Sequence, residues 1–121
     1  MKIENTKAQM RKGVLELCIL ALLRHEQAYA SDLIEALKKS EIIVVEGTLY
    51  PLLTRLKNEG LLTYRWEEST GGPPRKYYAL SPKGDAARAE LEQSWKALVA
   101  GVNATLENTN QNTNNAKTNQ S

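Results

Sequence analysis

Glu46-Gly47-Thr48-Leu49-Tyr50-Pro51-Leu52-Leu53-Thr54-Arg55-Leu56 decides how the rest of this chain is read. Leu49, Leu52, Leu53 and Leu56 recur at three- and four-residue spacing, which lays one apolar stripe along a helix. Thr48, Tyr50, Pro51, Thr54 and Arg55 fall largely off that stripe. They are short, hydrogen-bonding or cationic, a set that suits a helix pressed against nucleic acid. The helix runs to about Asn58, and Gly60 marks its end. Downstream lies Gly71-Gly72-Pro73-Pro74-Arg75-Lys76-Tyr77-Tyr78-Ala79-Leu80, a tight turn leading into a basic, aromatic strand. Leu61 to Trp66 and Lys76 to Leu80 read as two antiparallel strands joined by Glu67 to Pro74.

Working outward, residues 6 to 25 form a first helix. From Val14 to Leu23 only Glu16 is not apolar, so this helix needs cover on several sides. A second subunit or the domain's own core can supply it. Residues 29 to 39 form a second helix, with Asp32 and Glu35 early and Lys38 and Lys39 late. Ile42 to Val45 is β-branched and reads as a brief strand. Ser81 and Pro82 open a last helix as N-cap and first helical residue. Along it, Ala87, Leu91, Trp95, Leu98, Val102 and Leu106 form a seam for another helix. The partner is a second copy, the chain's own first helix, or both. The expected fold is mainly α with a small β-hairpin: a winged helix-turn-helix plus a C-terminal dimerisation helix. Its parts are a DNA-binding domain over 1–81, the dimerisation helix over 82–106, and a disordered Asn/Thr/Gln tail over 107–121, with fraying of the last helix as the other reading of that tail.

The 121 residues hold one compact domain, and 41% apolar content supports a modest core. A net charge of +2 carries no argument alone, so the placement of charge matters. Cations gather at Lys2, Lys7, Arg11 and Lys12, and again at Arg65, Arg75, Lys76 and Lys83. Cys18 is the only cysteine, which excludes an internal disulfide or a cysteine zinc site. The apolar run from Val14 is too short for a membrane span and lacks a signal-peptide layout, so a cytoplasmic location is expected. One His, one Cys and no metal-spaced cluster leave catalysis without residues, so no enzyme activity, cofactor or metal is expected. His25 falls at a helix end, where a cation is ordinary.

Gly47-Thr48-Leu49-Tyr50-Pro51 and Pro74-Arg75-Lys76-Tyr77-Tyr78 resemble the PadR family of bacterial transcriptional regulators. Tyr29-Ala30-Ser31-Asp32-Leu33, Arg55-Leu56-Lys57-Asn58-Glu59-Gly60-Leu61 and Leu80-Ser81-Pro82-Lys83-Gly84 extend the resemblance, in order, across residues 8 to 106. The short single final helix resembles the compact subgroup that includes a lactococcal multidrug-resistance regulator. The resemblance implies a homodimer that represses transcription on a palindromic DNA operator. It further implies that a planar aromatic or cationic small molecule can lie between a tryptophan from each subunit. Trp95 is the matching residue, and Met10, Gly13, Leu17, Leu91 and Val99 flank the same pore. Glu16 falls nearby and offers a carboxylate to a cationic ligand. Two departures stand out: Tyr29-Ala30-Ser31 replaces a Tyr-Gly-Tyr-like stretch, and Val99 stands where the drug-binding relative carries an acid.

Groove geometry supplies the mechanism expected of such a dimer. Two reading helices would enter successive major grooves roughly 34 Å apart. Thr48, Tyr50 and Pro51 lie near the start of the helix, where backbone N–H groups also favour phosphate. Thr54 and Arg55 follow one turn later, and Arg55 has two candidate partners, a phosphate or Glu59. Arg75 and Lys76 sit beside the turn glycines, placed for the DNA backbone or minor groove, although a solvated hairpin suits cations too. Lys7, Arg11 and Lys12 add backbone contacts from the first helix. Trp95 reads as packing or as a ligand shelf. The competing function is a protein-interaction module that kept the scaffold and lost DNA binding.

Overall fold

The structure is a computed structural model that describes residues 1–119, with side chains described for 1–108. Helix α1 (Ile3–His25) leads into a two-residue strand β1 (Ala28–Tyr29) and helix α2 (Ala30–Lys39). A short connection carries the chain to α3 (Glu46–Asn58), then to strands β2 (Leu62–Glu67) and β3 (Arg75–Leu80), and finally to α4 (Pro82–Asn119). The antiparallel sheet has the order β1-β3-β2. Helices α2 and α3 form the helix-turn-helix, and β2 and β3 form the wing. The fold is a winged helix-turn-helix.

Two compact units divide the chain, Met1–Ala89 and Glu90–Ser121. In the first, α3 buries Leu49, Leu53 and Leu56 completely, while Leu52 is half-buried. They meet Leu15, Ile19, Leu20 and Leu23 of α1, Leu33 and Leu37 of α2, and Leu62 and Tyr78 of the sheet in one core. Truncating any such leucine to alanine costs about 2–5 kcal/mol. Cys18 is half-buried against this core, and burial pushes its thiol pKa up, as expected of a small apolar filler.

Local rules set the element ends. Helix α3 closes with the Gly60 N–H on the Lys57 carbonyl (3.0 Å) and the Leu61 N–H on the Leu56 carbonyl (2.9 Å). That pair of bonds needs a left-handed residue between helix and strand, and Gly60 supplies it at φ 81°. At the head of α4 the Ser81 hydroxyl accepts from the Gly84 N–H at 3.0 Å, a capping bond. One turn on, Arg88 is buried and donates to Asp85 at 2.8 Å. That bond holds the Asp85 carboxyl below its ordinary pKa.

Two expectations change. Ile42 to Val45 is not a strand, because no neighbouring strand pairs with it. Its β-branched residues do alternate, with Ile42 and Val44 half-buried and Ile43 and Val45 exposed. The third strand is instead β1, whose Ala28 and Tyr29 pair with Tyr78 and Tyr77. The backbone of α4 continues as helix to Asn119, within the stretch 107–121 read either as a polar tail or as a fraying end of the last helix. The side chains of 109–119, and residues 120–121 altogether, lie outside the described residues. Among the described residues no helix is long and apolar enough to cross a membrane.

Candidate nucleic-acid interface

Helix α3 turns its non-leucine face outward. Tyr50, Pro51 and Thr54 are exposed, and Thr48 is half-buried near the first turn. Arg55 is engaged inside the protein. Its guanidinium pairs with Glu16 of α1 and with Glu59 one turn along α3, at 3.2 Å. Of its two candidate partners, Glu59 is the one met within the chain, and Glu16 of α1 is a further one, so the Glu16 carboxylate already has a cation.

The wing has two differently furnished faces, fixed by register. Leu62, Thr63, Tyr64, Arg65, Trp66 and Glu67 oppose Leu80, Ala79, Tyr78, Tyr77, Lys76 and Arg75. Opposed residues share a face, and neighbours along a strand alternate. One face therefore carries Tyr78, Tyr64, Lys76 and Trp66 from the core outward. Tyr78 is buried, Tyr64 meets Trp66 edge to face at 5.9 Å, and the Lys76 ammonium lies 4.7 Å from the Tyr64 ring centre and 5.5 Å from that of Trp66. The other face carries Tyr77, Arg65 and Arg75. Tyr77 packs on Tyr29 at 4.7 Å, Arg65 lies over Tyr77, and the Arg75 guanidinium lies 3.9 Å over Tyr29. Arg75 also donates to the Ser31 hydroxyl at 3.4 Å. Aromatic rings thus hold all three of these wing cations in place.

Between α3, the start of α2 and the wing runs an open groove of about 450 Å³. Tyr50 and Thr54 line it from α3, Tyr29 and Ser31 from the α2 end, and Trp66, Arg75 and Lys76 from the wing. Glu46 is the acid in its lining. A smaller hollow between α1 and the α2–α3 connection brings Arg11 and Lys12 beside Thr48. Lys7 is exposed near the start of α1, within 3.5 Å of Glu4. The structure therefore gathers Tyr50, Thr54, Arg75 and Lys76 around one groove, and Thr48 with Arg11 around another.

Of the residues suggested for a small molecule, Met10 and Gly13 are exposed on α1 and Leu17 is half-buried. Leu91 and Trp95 are exposed on α4, Trp95 at 43%, and Val99 is half-buried. Sequence reasoning missed Trp66, Tyr29 and Ser31. The sequence pattern marks Trp66 only as a strand residue; its 61% exposure follows from alternation along β2 next to Tyr64 once the pairing is known. No group of three or more His, Cys, Asp or Glu that could hold a metal occurs among the described residues.

Known proteins match this architecture. Residues 19–90 match the Transcriptional regulator PadR-like family. A PadR-like transcription factor from Bacteroides fragilis is 65% identical in its solved structure, with 82% of this chain and 96% of that one covered at a TM-score of 0.70. A PadR family transcriptional regulator from Eggerthella lenta is 36% identical, covering 87% of this chain and 92% of its own, at a TM-score of 0.79. Bacillus subtilis PadR, solved in complex with operator DNA, is 26% identical over 64% of this chain and 46% of its own, at a TM-score of 0.60. The chain belongs to the PadR-like family of transcriptional regulators.

Proposed function

We propose that the protein is a dimeric repressor that binds a palindromic operator in double-stranded DNA. The groove between α3 and the wing carries the proposal, because it combines the exposed Tyr50 and Thr54 with two ring-braced cations, Arg75 and Lys76. Thr48, Tyr50, Pro51 and Thr54 would meet base edges and phosphates in the major groove. Arg75 and Lys76 would neutralise the backbone, as would Lys7 and Arg11 from α1. Glu46 suits a cytosine amino group better than a phosphate. Arg55, tied to Glu16 of α1 and still part-exposed at the same face of α3, would add a phosphate contact one turn after Pro51. The Bacillus subtilis relative bound to operator DNA supports this reading.

The same reading takes Leu91, Trp95, Leu98, Val102 and Leu106, all exposed on α4, as the face for a second copy. A planar aromatic or cationic molecule stacked at Trp95, with Met10, Gly13, Leu17, Leu91 and Val99 around it, would release the operator, as in the compact multidrug-binding subgroup. Titration with planar cationic dyes tests this part: quenching of Trp95 emission supports it, and an emission that stays flat removes it. A mobility-shift titration on the promoter region of its own gene, across several salt concentrations, tests the whole. A salt-dependent complex that outlasts competitor DNA is expected. Binding no tighter than to unrelated duplex would leave a protein-interaction module as the better reading.

A further inference from the structure

Trp66 is left in water at the end of a ladder that is otherwise covered. On its face of the wing, Tyr78 is buried and Tyr64 half-buried, while Trp66 stays 61% exposed. The indole is not isolated. It lines the same groove as Tyr50 and Thr54, meets Tyr64 edge to face at 5.9 Å, and has the Lys76 ammonium 5.5 Å from its ring centre. Lys76 is its direct partner across the β2–β3 ladder. The ring and the cation therefore form one braced unit, an apolar plate with a positive charge at its side. A deoxyribose with its phosphate has the complementary layout, an apolar ring beside a negative charge. The indole N–H adds a donor with no acceptor to conflict with phosphate oxygen.

We infer that Trp66 is a DNA-contact residue of the wing, packing its ring on a deoxyribose of the strand that lies in the groove while Lys76 takes the adjoining phosphate. This rests on the operator-binding reading above and adds to it an apolar contact to the sugar, from the wing, beside the hydrogen-bonding residues of α3 and the cations. An uncharged contact has a distinct signature. It changes affinity for all sequences alike and leaves the salt slope alone, because no counterion is released on its account.

The test compares the wild-type chain with Trp66→Ala and Trp66→Phe on the promoter duplex, at several salt concentrations. Trp66→Ala is expected to bind about tenfold more weakly, with an unchanged salt slope and an unchanged circular-dichroism melt, and Trp66→Phe to recover most of the loss. In a Trp95→Phe protein, where Trp66 is the only indole, saturating duplex is expected to shield the emission from acrylamide. That second measurement stands even if Trp66→Ala folds poorly. Wild-type affinity in Trp66→Ala, or acrylamide access unchanged by duplex that is demonstrably bound, overturns the inference and leaves the operator-binding reading intact. If the wild-type chain itself prefers no duplex, the operator-binding reading falls and the inference falls with it.

Discussion

Glu41 holds φ 63°, in the left-handed region, just past the end of α2. The Ile42 N–H reaches the Leu37 carbonyl and the Glu41 N–H the Lys38 carbonyl, both at 2.9 Å, so the helix ends by the geometry that Gly60 serves after α3. A side chain there costs about 1–2 kcal/mol, and glycine's larger freedom in the unfolded chain returns about 0.5–1 kcal/mol of that. Glu41→Gly is therefore expected to raise stability by about 0.5–1 kcal/mol, read as a higher urea midpoint at unchanged slope. A midpoint that falls would mean that the Glu41 side chain itself stabilises the turn. Charge at the interface divides in the same residue-by-residue way. The Lys76 ammonium sits against rings with no carboxylate partner among the described residues, whereas the Arg55 guanidinium is shared by Glu16 and Glu59. Lys76→Ala is expected to reduce the salt slope of operator binding by about one. Arg55→Ala is expected to reduce that slope by less, because the two carboxylates already share its charge. Equal slopes for Lys76→Ala and wild type would remove Lys76 from the phosphate contacts.

The entry of α4 shows how an element is held by a residue that has no side chain. A Cβ on Gly84 would collide with the Leu61 carbonyl oxygen and come within 2.7 Å of the Leu80 side chain. The Leu61 carbonyl cannot yield easily, because it accepts the Ser81 N–H at 3.1 Å. Gly84→Ala is thus expected to destabilise the winged unit by about 2 kcal/mol or more, through displaced backbone. A melting temperature within a degree or so of wild type would show that α4 can shift without loss. This constraint also explains part of what could be read in advance. The α3 stripe, Gly60 and the Ser81-Pro82 helix start follow from local rules, so each was visible in the sequence. Gly84 stood inside a recognisable motif, but its close approach to Leu61 depends on the folded chain. Strand β1 was not visible, since two residues make no period and its pairing with Tyr77 and Tyr78 is distant in sequence. Ile42 to Val45 failed for the opposite reason: the composition of a strand does not supply a partner. At the site, the hydroxyls and cations of α3 and the wing could be picked out by type. The Glu16–Arg55 pair and the exposure of Trp66 arise only when α1, α3 and the wing are packed.

At the scale of the whole molecule, the exposed apolar surface is the strongest demand still to be met. Leu91, Trp95, Leu98, Val102 and Leu106 follow one another at four-, three-, four- and four-residue steps, so they lie along one side of α4. All are exposed in the single chain, Leu98 at 60%. A continuous apolar stripe of this length is rare on a chain that works alone, and it fits a helix partner of the same kind. Two-fold pairing, as proposed, would have a second consequence. Each α3 would read one half-site, and linking two copies would convert the second contact into an intramolecular one, which multiplies affinity without any new residue at the DNA. Leu98→Glu places a charge in the middle of the stripe. Sedimentation is expected to show a dimer for the wild type and a monomer for Leu98→Glu at micromolar concentration. The winged unit should keep its circular-dichroism signature, since Leu98 lies outside the Met1–Ala89 unit. Affinity for a full promoter duplex is expected to drop at least about a hundredfold. Affinity for a half-site duplex should stay as weak as that of the wild type. A Leu98→Glu protein that remains dimeric would locate the pairing face elsewhere. One that is monomeric and still binds the full duplex at wild-type strength would mean that pairing plays no part in operator recognition.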